Sequence, residues 1–263
     1  MSLLDVQGVG ISFGGVKAVQ DVSFTVAKGE IVSVIGPNGA GKTTLFNMLS
    51  GIYLPMQGEV MLKGEKITGM PSHLLARRGM SRTFQNLQIF PAMTVLQNVA
   101  TGFHLQEKGS LFADLLALPS ARKRVLHSEE QARELLERVG LARAADVEAS
   151  SLSYGSLKRL EIARALALKP ELLLLDEPAA GCNAVETEEI EKLVAEVAAS
   201  GIAILLVEHD MKMVMRISNK IVVLDYGQKI AEGLPAEIAV HPRVIEAYLG
   251  AAAKEETAEY AKC

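Results

Sequence analysis

Residues 36–43 read Gly-Pro-Asn-Gly-Ala-Gly-Lys-Thr, a spacing suited to holding a chain of phosphates. Gly36, Gly39 and Gly41 lack a Cβ, so the backbone can take positive φ and approach an anion closely. The N–H groups of such a loop converge on phosphate oxygens, and the positive end of a following helix lies behind them. Lys42 adds an ammonium for the β- and γ-phosphates, and Thr43 a hard hydroxyl oxygen of the kind Mg²⁺ takes. Pro37, Asn38, Ala40 and Thr44 belong to the same candidate nucleotide-binding stretch. Asp176-Glu177 follows an all-leucine run at 172–175. A carboxylate at the end of a buried strand reaches a metal beside a phosphate loop, so Asp176 is the candidate magnesium ligand. Glu177 is the candidate that polarises the attacking water.

These residues need a scaffold. A phosphate loop requires a strand before it and a helix after it. The β-branched run at 31–35 ends at Gly36, and Leu45, Phe46, Met48 and Leu49 repeat at helical spacing. Apolar runs at 172–175 and 202–207 alternate with a helical pattern at 186–199, which predicts parallel strand–helix units. Alternating runs at 3–9 and 22–26 predict an antiparallel region, and 221–224 and 228–231 flank a hairpin turn at Asp225-Tyr226-Gly227. Residues 86–168 are rich in Leu, Ala, Arg and Glu, with helical spacing at 128–139 and 157–168, and read as a helical insertion. The expected division is a core of 1–85 and 169–250, a helical subdomain of 86–168, and a tail at 251–263 that is frayed or disordered.

The chain has 263 residues, 49% of them hydrophobic, and a net charge of −4. That permits a substantial core and gives no basic excess pointing to nucleic acid. Short basic pairs such as Arg77-Arg78 and Lys158-Arg159 read as solvated helix faces. The two cysteines, Cys182 and Cys263, imply no disulfide framework and fit a reducing compartment. No secretion signal is visible at the N-terminus. No apolar run approaches the length of about 20 residues that a membrane span needs.

Leu152-Ser153-Tyr154-Gly155-Ser156 resembles the Leu-Ser-Gly-Gly-Gln signature of ABC-transporter ATPases, and Lys158-Arg159 and Ile162-Ala163-Arg164-Ala165-Leu166 continue the match. The resemblance covers roughly residues 3–250. It is nearest to the ATPases of branched-chain (hydrophobic) amino acid importers, of the LivG type, on Arg82-Thr83-Phe84-Gln85-Asn86, Pro178-Ala179-Ala180-Gly181, Val207-Glu208-His209-Asp210-Met211 and Val244-Ile245-Glu246-Ala247-Tyr248-Leu249-Gly250. A long insertion near 104–126 also suits that type. Tyr154 and Ser156 depart from the general signature, and Cys182 and Ala184 from this branch.

The resemblance implies an α/β fold: a P-loop NTPase (ABC ATPase) core with an antiparallel β subdomain and an inserted α-helical subdomain. It implies ATP and Mg²⁺ as cofactors. Phe13 would stack on adenine, Gln85 would sense Mg²⁺ and water, and His209 would contact the γ-phosphate. Ser153 and Gly155, at a helix N-terminus, would close over ATP held by another subunit. That subunit is either a LivF-like ATPase or a second copy in a head-to-tail dimer. Transmembrane permease subunits and, indirectly, a periplasmic or extracellular solute-binding protein are the further partners, with the chain peripheral at the cytoplasmic face of the inner membrane. A lipopolysaccharide-type exporter ATPase and a soluble non-transport ABC ATPase are the alternatives.

Overall fold

In the computed structural model, residues 2–105 and 119–249 are described. The expected tail and much of the expected long insertion lie outside them. The chain begins with two long strands, β1 (Ser2–Phe13) and β2 (Val16–Ala27). Val22, Phe24 and Val26 alternate as buried residues in β2, β1 buries consecutive residues at Leu3-Leu4 and Val9–Ile11, and together the two form an antiparallel hairpin. The expected runs at 3–9 and 22–26 lie within them. β4 (Gln57–Leu62) and β5 (Glu65–Lys66) extend that sheet in the order β2-β1-β4-β5.

β3 (Ile31–Ile35) lies inside a second sheet ordered β10-β9-β3-β8-β7-β6. Here β6 (Met80–Arg82), β7 (Leu172–Asp176), β8 (Ala203–Val207) and β9 (Lys220–Asp225) run parallel to their neighbours in the central register. β10 (Gln228–Gly233) returns antiparallel through the expected turn. The four-leucine run of β7 is buried on both faces, as a central parallel strand must be. Leu172 and Leu174 face a core shared with the antiparallel sheet and with α1 (Lys42–Leu49). Leu173 and Leu175 face a second core built with α3 (Val95–Ala100), α4 (Pro119–Arg138), α5 (Tyr154–Ala167) and α6 (Ala184–Ala199). α2 (Ser72–Arg77) precedes β6, and α7 (Met211–Ile217) and α8 (Pro235–Ala239) follow β8 and β10. A final helical stretch spans 242–249.

The helix expected at 157–168 begins three residues earlier because Ser153 caps it, its hydroxyl accepting the Ser156 N–H. The reading of Lys158-Arg159 as a solvated face is overturned. Lys158 is only 2% exposed, because α5 packs against the sheet on the side that carries it. Its ammonium finds backbone carbonyls rather than water.

Candidate nucleotide site

β3 delivers the chain to Gly36, where φ is 152° and a Cβ would lie 2.1 Å from the Leu224 carbonyl oxygen. No side chain fits that approach. Gly41 caps α1 at φ 101°, with a hypothetical Cβ 2.5 Å from the Ala18 oxygen. The Lys42 ammonium donates to the carbonyls of Gly36 at 2.6 Å and Pro37 at 3.0 Å, above the loop. Burial lowers its pKa, and the Glu177 and Asp176 carboxylates oppose that shift. Residues 38–44, Gln85 and Glu177 line one open cleft of about 620 Å³. The structure therefore brings together Asn38, Gly39, Ala40, Gly41, Lys42, Thr43, Thr44, Gln85 and Glu177, while Gly36 and Pro37 form the base of the loop. Val16, Lys17, Ala18, Gln20 and Tyr226 complete the cleft. Val16, Lys17, Ala18 and Gln20 belong to no motif in the sequence, and Tyr226 is legible there only as a turn residue. Phe13 does not line this cleft; it is 46% exposed, with its ring edge-on to Tyr53 at 5.3 Å.

The acidic pair ends β7 beside the loop. Asp176 is buried and forms an ion pair of 2.8 Å with Arg82. The same guanidinium donates to the side chains of Asn47 and Ser50 and lies over the rings of Phe46 and Phe84. Glu177 sits at φ 50°, in the left-handed region that costs a non-glycine residue about 1–3 kcal/mol. Its N–H bonds to the Val207 carbonyl at 2.8 Å, and its carboxylate accepts from the Gln85 amide at 3.1 Å. Lys158 reaches across to the carbonyls of Gln85 and Glu177 at 3.5 and 3.3 Å. Glu208, at the end of β8, is 1% exposed, and its Oε2 has no hydrogen-bond partner among the described residues. Burial first, then the Glu177 and Asp210 carboxylates, push its pKa up to about 8. The neighbouring His209 is exposed and does not line the cleft.

The donors fit a magnesium ion. Among the described residues no cluster of three or more His, Cys, Asp or Glu could hold a metal by itself. Thr43 is exposed, and the Gln85 amide spends an N–H on Glu177 while its carbonyl oxygen makes no hydrogen bond among the described residues. With Asp176 this is a sparse, all-oxygen set of the kind Mg²⁺ uses when phosphates supply the remaining ligands.

Ser153 and Gly155 lie outside the cleft. Glu186, in the first turn of α6, accepts from the Ser153 hydroxyl at 3.0 Å and the Gly155 N–H at 3.2 Å on one oxygen. Its other oxygen accepts the Asn183 N–H at 3.2 Å, closing a capping box. These bonds hold its pKa below the ordinary carboxylate value. The N-terminus of α5 thus faces a carboxylate of its own chain.

A family model described as ABC transporter matches residues 19–180, and one described as Branched-chain amino acid ATP-binding cassette transporter matches 228–254. The high-affinity branched-chain amino acid transport ATP-binding protein LivG of Escherichia coli (strain K12) is 47% identical over 251 residues, covering 95% of this chain and 98% of that protein. The crystal structure of the ADP conformation of MJ1267, an ATP-binding cassette of an ABC transporter, superposes with a TM-score of 0.83 and 34% identity, covering 95% of this chain and 99% of that one. A dimeric post-hydrolysis structure of the ATP-binding cassette MJ0796, bound to ADP and Pi, gives a TM-score of 0.72 and 26% identity, covering 88% and 98%. The phosphate loop, the acidic strand end and the capped signature helix are therefore found in a chain that belongs to the ABC transporter family, as an ATP-binding subunit of its branched-chain amino acid branch.

Proposed function

We propose that this chain binds and hydrolyses ATP to power uptake of branched-chain amino acids, or related small polar or aromatic solutes, through separate membrane subunits. The observation that carries the reading is the 47% identity to LivG across nearly all of both chains. Among the described residues no helix is long and apolar enough to cross a membrane.

The chain's own residues divide the work. Residues 38–44 cradle the phosphates, and Lys42 exchanges its carbonyl partners for phosphate oxygens. Thr43, Gln85 and Asp176 hold Mg²⁺, which neutralises charge on the phosphates when bound. Glu177 orients and polarises the attacking water, with Gln85 fixing its carboxylate. His209 and Phe13 lie outside the cleft as it stands here, and their roles, on the γ-phosphate and on the base, rest on the family resemblance and need the nucleotide-bound state. Ser153 and Gly155 act on ATP held by a second ATPase subunit, which is either another copy or a LivF-like partner, so each active site is composite. Binding closes the pair, and loss of the γ-phosphate reopens it. Residues 86–168, read as the helical subdomain, carry that motion to the membrane subunits. The docking place is a groove beside Gln85–Pro91, with Leu87, Ile89, Phe90 and Met93 as its contacts; a cavity of about 290 Å³ opens there between Phe84, Gln88, His104 and Arg164. The solute-binding protein acts from the far side of the membrane, and the chain sits at the cytoplasmic face.

The test is reconstitution in vesicles with the cognate membrane subunits and binding protein. Leucine uptake should require ATP and fall to background with Lys42→Ala in this subunit. Export, or uptake indifferent to Lys42, would overturn the reading.

A further inference from the structure

Segment 84–88 carries Gln85 yet belongs to no helix or strand, so its backbone polar groups must find partners outside a ladder. Several of them find α5. Lys158 donates to the Gln85 carbonyl at 3.5 Å. Glu161 Oε1 accepts the Phe84 N–H at 3.3 Å and the Gln88 N–H at 3.4 Å. The Arg164 guanidinium donates to the Gln88 carbonyl. Positions 158, 161 and 164 step by three along α5 and so lie along one side of it. Glu161 is buried, and its two bonds bracket Gln85 in the chain. The Gln85 amide in turn holds the Glu177 carboxylate at 3.1 Å. Glu161 also lines the cavity of about 290 Å³ together with Phe84, Gln88 and Arg164.

We propose that Glu161 is a positioning residue for hydrolysis: its carboxylate clamps segment 84–88 on both sides of Gln85 and so sets where the Gln85 amide meets Glu177. The inference rests on the roles proposed above for Gln85 and Glu177. One buried acceptor holding two N–H groups fixes the path of the segment, because neither amide has a ladder partner to fall back on. The helix that carries Glu161 begins at the Ser153 cap. Gln85 is thereby tied to the movement of α5, and a partner seated in the cavity presses on the clamp itself.

The experiment uses the full chain with Glu161→Ala, which removes the acceptor, and Glu161→Gln, which keeps one oxygen in its place. In Glu161→Ala, turnover at saturating ATP and fixed protein concentration should fall about five-fold or more, the scale of a lost hydrogen bond. The Kd for a fluorescent ADP analogue should stay within about two-fold, and amide hydrogen exchange across 84–88 should quicken. Glu161→Gln should return both turnover and exchange to near the parent's values. Leu166→Ala is the packing control. It thins the core under the same helix, and should lower Tm while turnover stays within about two-fold. Unchanged turnover in Glu161→Ala, or an equal fall in Glu161→Gln or Leu166→Ala, overturns the positioning role. Gln85→Ala separates the two levels. Its turnover should fall, and adding Glu161→Ala should cost little further, because one residue acts through the other. A parent-like Gln85→Ala would mean that the reading of Gln85 fails, and the inference falls with it; a slow Gln85→Ala beside a parent-like Glu161→Ala sinks the inference alone.

Discussion

Glu177 and Glu208 directly follow two adjacent parallel strands, and the Glu177 carboxylate raises the cost of charging Glu208. Glu208 is the more deeply buried, so it holds its proton. Its folded pKa of about 8 stands above its ordinary value of 4.5. Between those values the folded chain binds more protons than the unfolded one. Stability therefore falls as pH rises through that window and levels off above it. Glu208→Gln removes the titration while keeping the shape. The variant should gain stability relative to the parent as pH goes from 5 to 8, by about a few degrees in Tm, and parallel pH curves for the two would refute the buried neutral acid. Glu177 sits in the left-handed region with its carboxylate held by Gln85. Glu177→Gln leaves the backbone and the Gln85 contact in place but removes the charge. ATP should still bind, and turnover should fall about 100-fold or more, on the scale of a lost general base; a phosphate-release assay at saturating ATP reads this directly.

At the scale of elements, α5 and β6 secure the end of β7. Arg82 on β6 is the charge partner of Asp176, with both groups almost fully buried. Arg82→Ala strands that carboxylate and should cost about 3–5 kcal/mol, measured by denaturant unfolding. Lys158 on α5 donates to the carbonyls of Gln85 and Glu177 at once. Lys158→Met keeps the length and apolar packing but removes the donors. It should lower kcat about ten-fold with little change in nucleotide affinity, because it touches the catalytic side of the cleft and not the phosphate loop.

Elements of this kind were unevenly legible in the sequence. The loop at 36–43, β3, β7 and β8 carry their evidence locally, in glycine spacing and unbroken apolar runs. β4, whose residues are half exposed, and β6, only three residues long, show no such pattern and exist because a neighbouring strand presents a free edge. Arg82 was legible as part of a motif, but its pairing with Asp176 depends on β6 and β7 lying side by side. Lys158 misled for the same reason: a lysine beside an arginine looks solvated until the helix carrying it is packed. Glu186 is legible only as the end of a capping box with Asn183; its bonds to Ser153 and Gly155, 33 and 31 residues away, depend on α5 and α6 lying side by side.

On the scale of the whole molecule, the phosphate loop and the signature helix face different surroundings: one lines the cleft, and the other meets Glu186. On the proposed reading, a chain built this way completes its site with a second chain. Turnover per chain should therefore rise with protein concentration and saturate once pairing is complete, and a Glu177→Gln sample with ATP should elute as a dimer. Turnover independent of dilution would sink the composite site.

The Glu186 carboxylate has a consequence for that equilibrium. It is tethered beside the Ser153 hydroxyl and the Gly155 N–H, so it acts there as an anion at a high local concentration, about millimolar or above for a short tether. If Ser153 and Gly155 take the γ-phosphate of another chain, as proposed, that phosphate competes with this resident anion, and the affinity of closure is the net of the exchange. On the proposed reading each subunit has a built-in threshold: a nucleoside triphosphate with its terminal charge in reach displaces the carboxylate, and a diphosphate, one charged group shorter, leaves it in place.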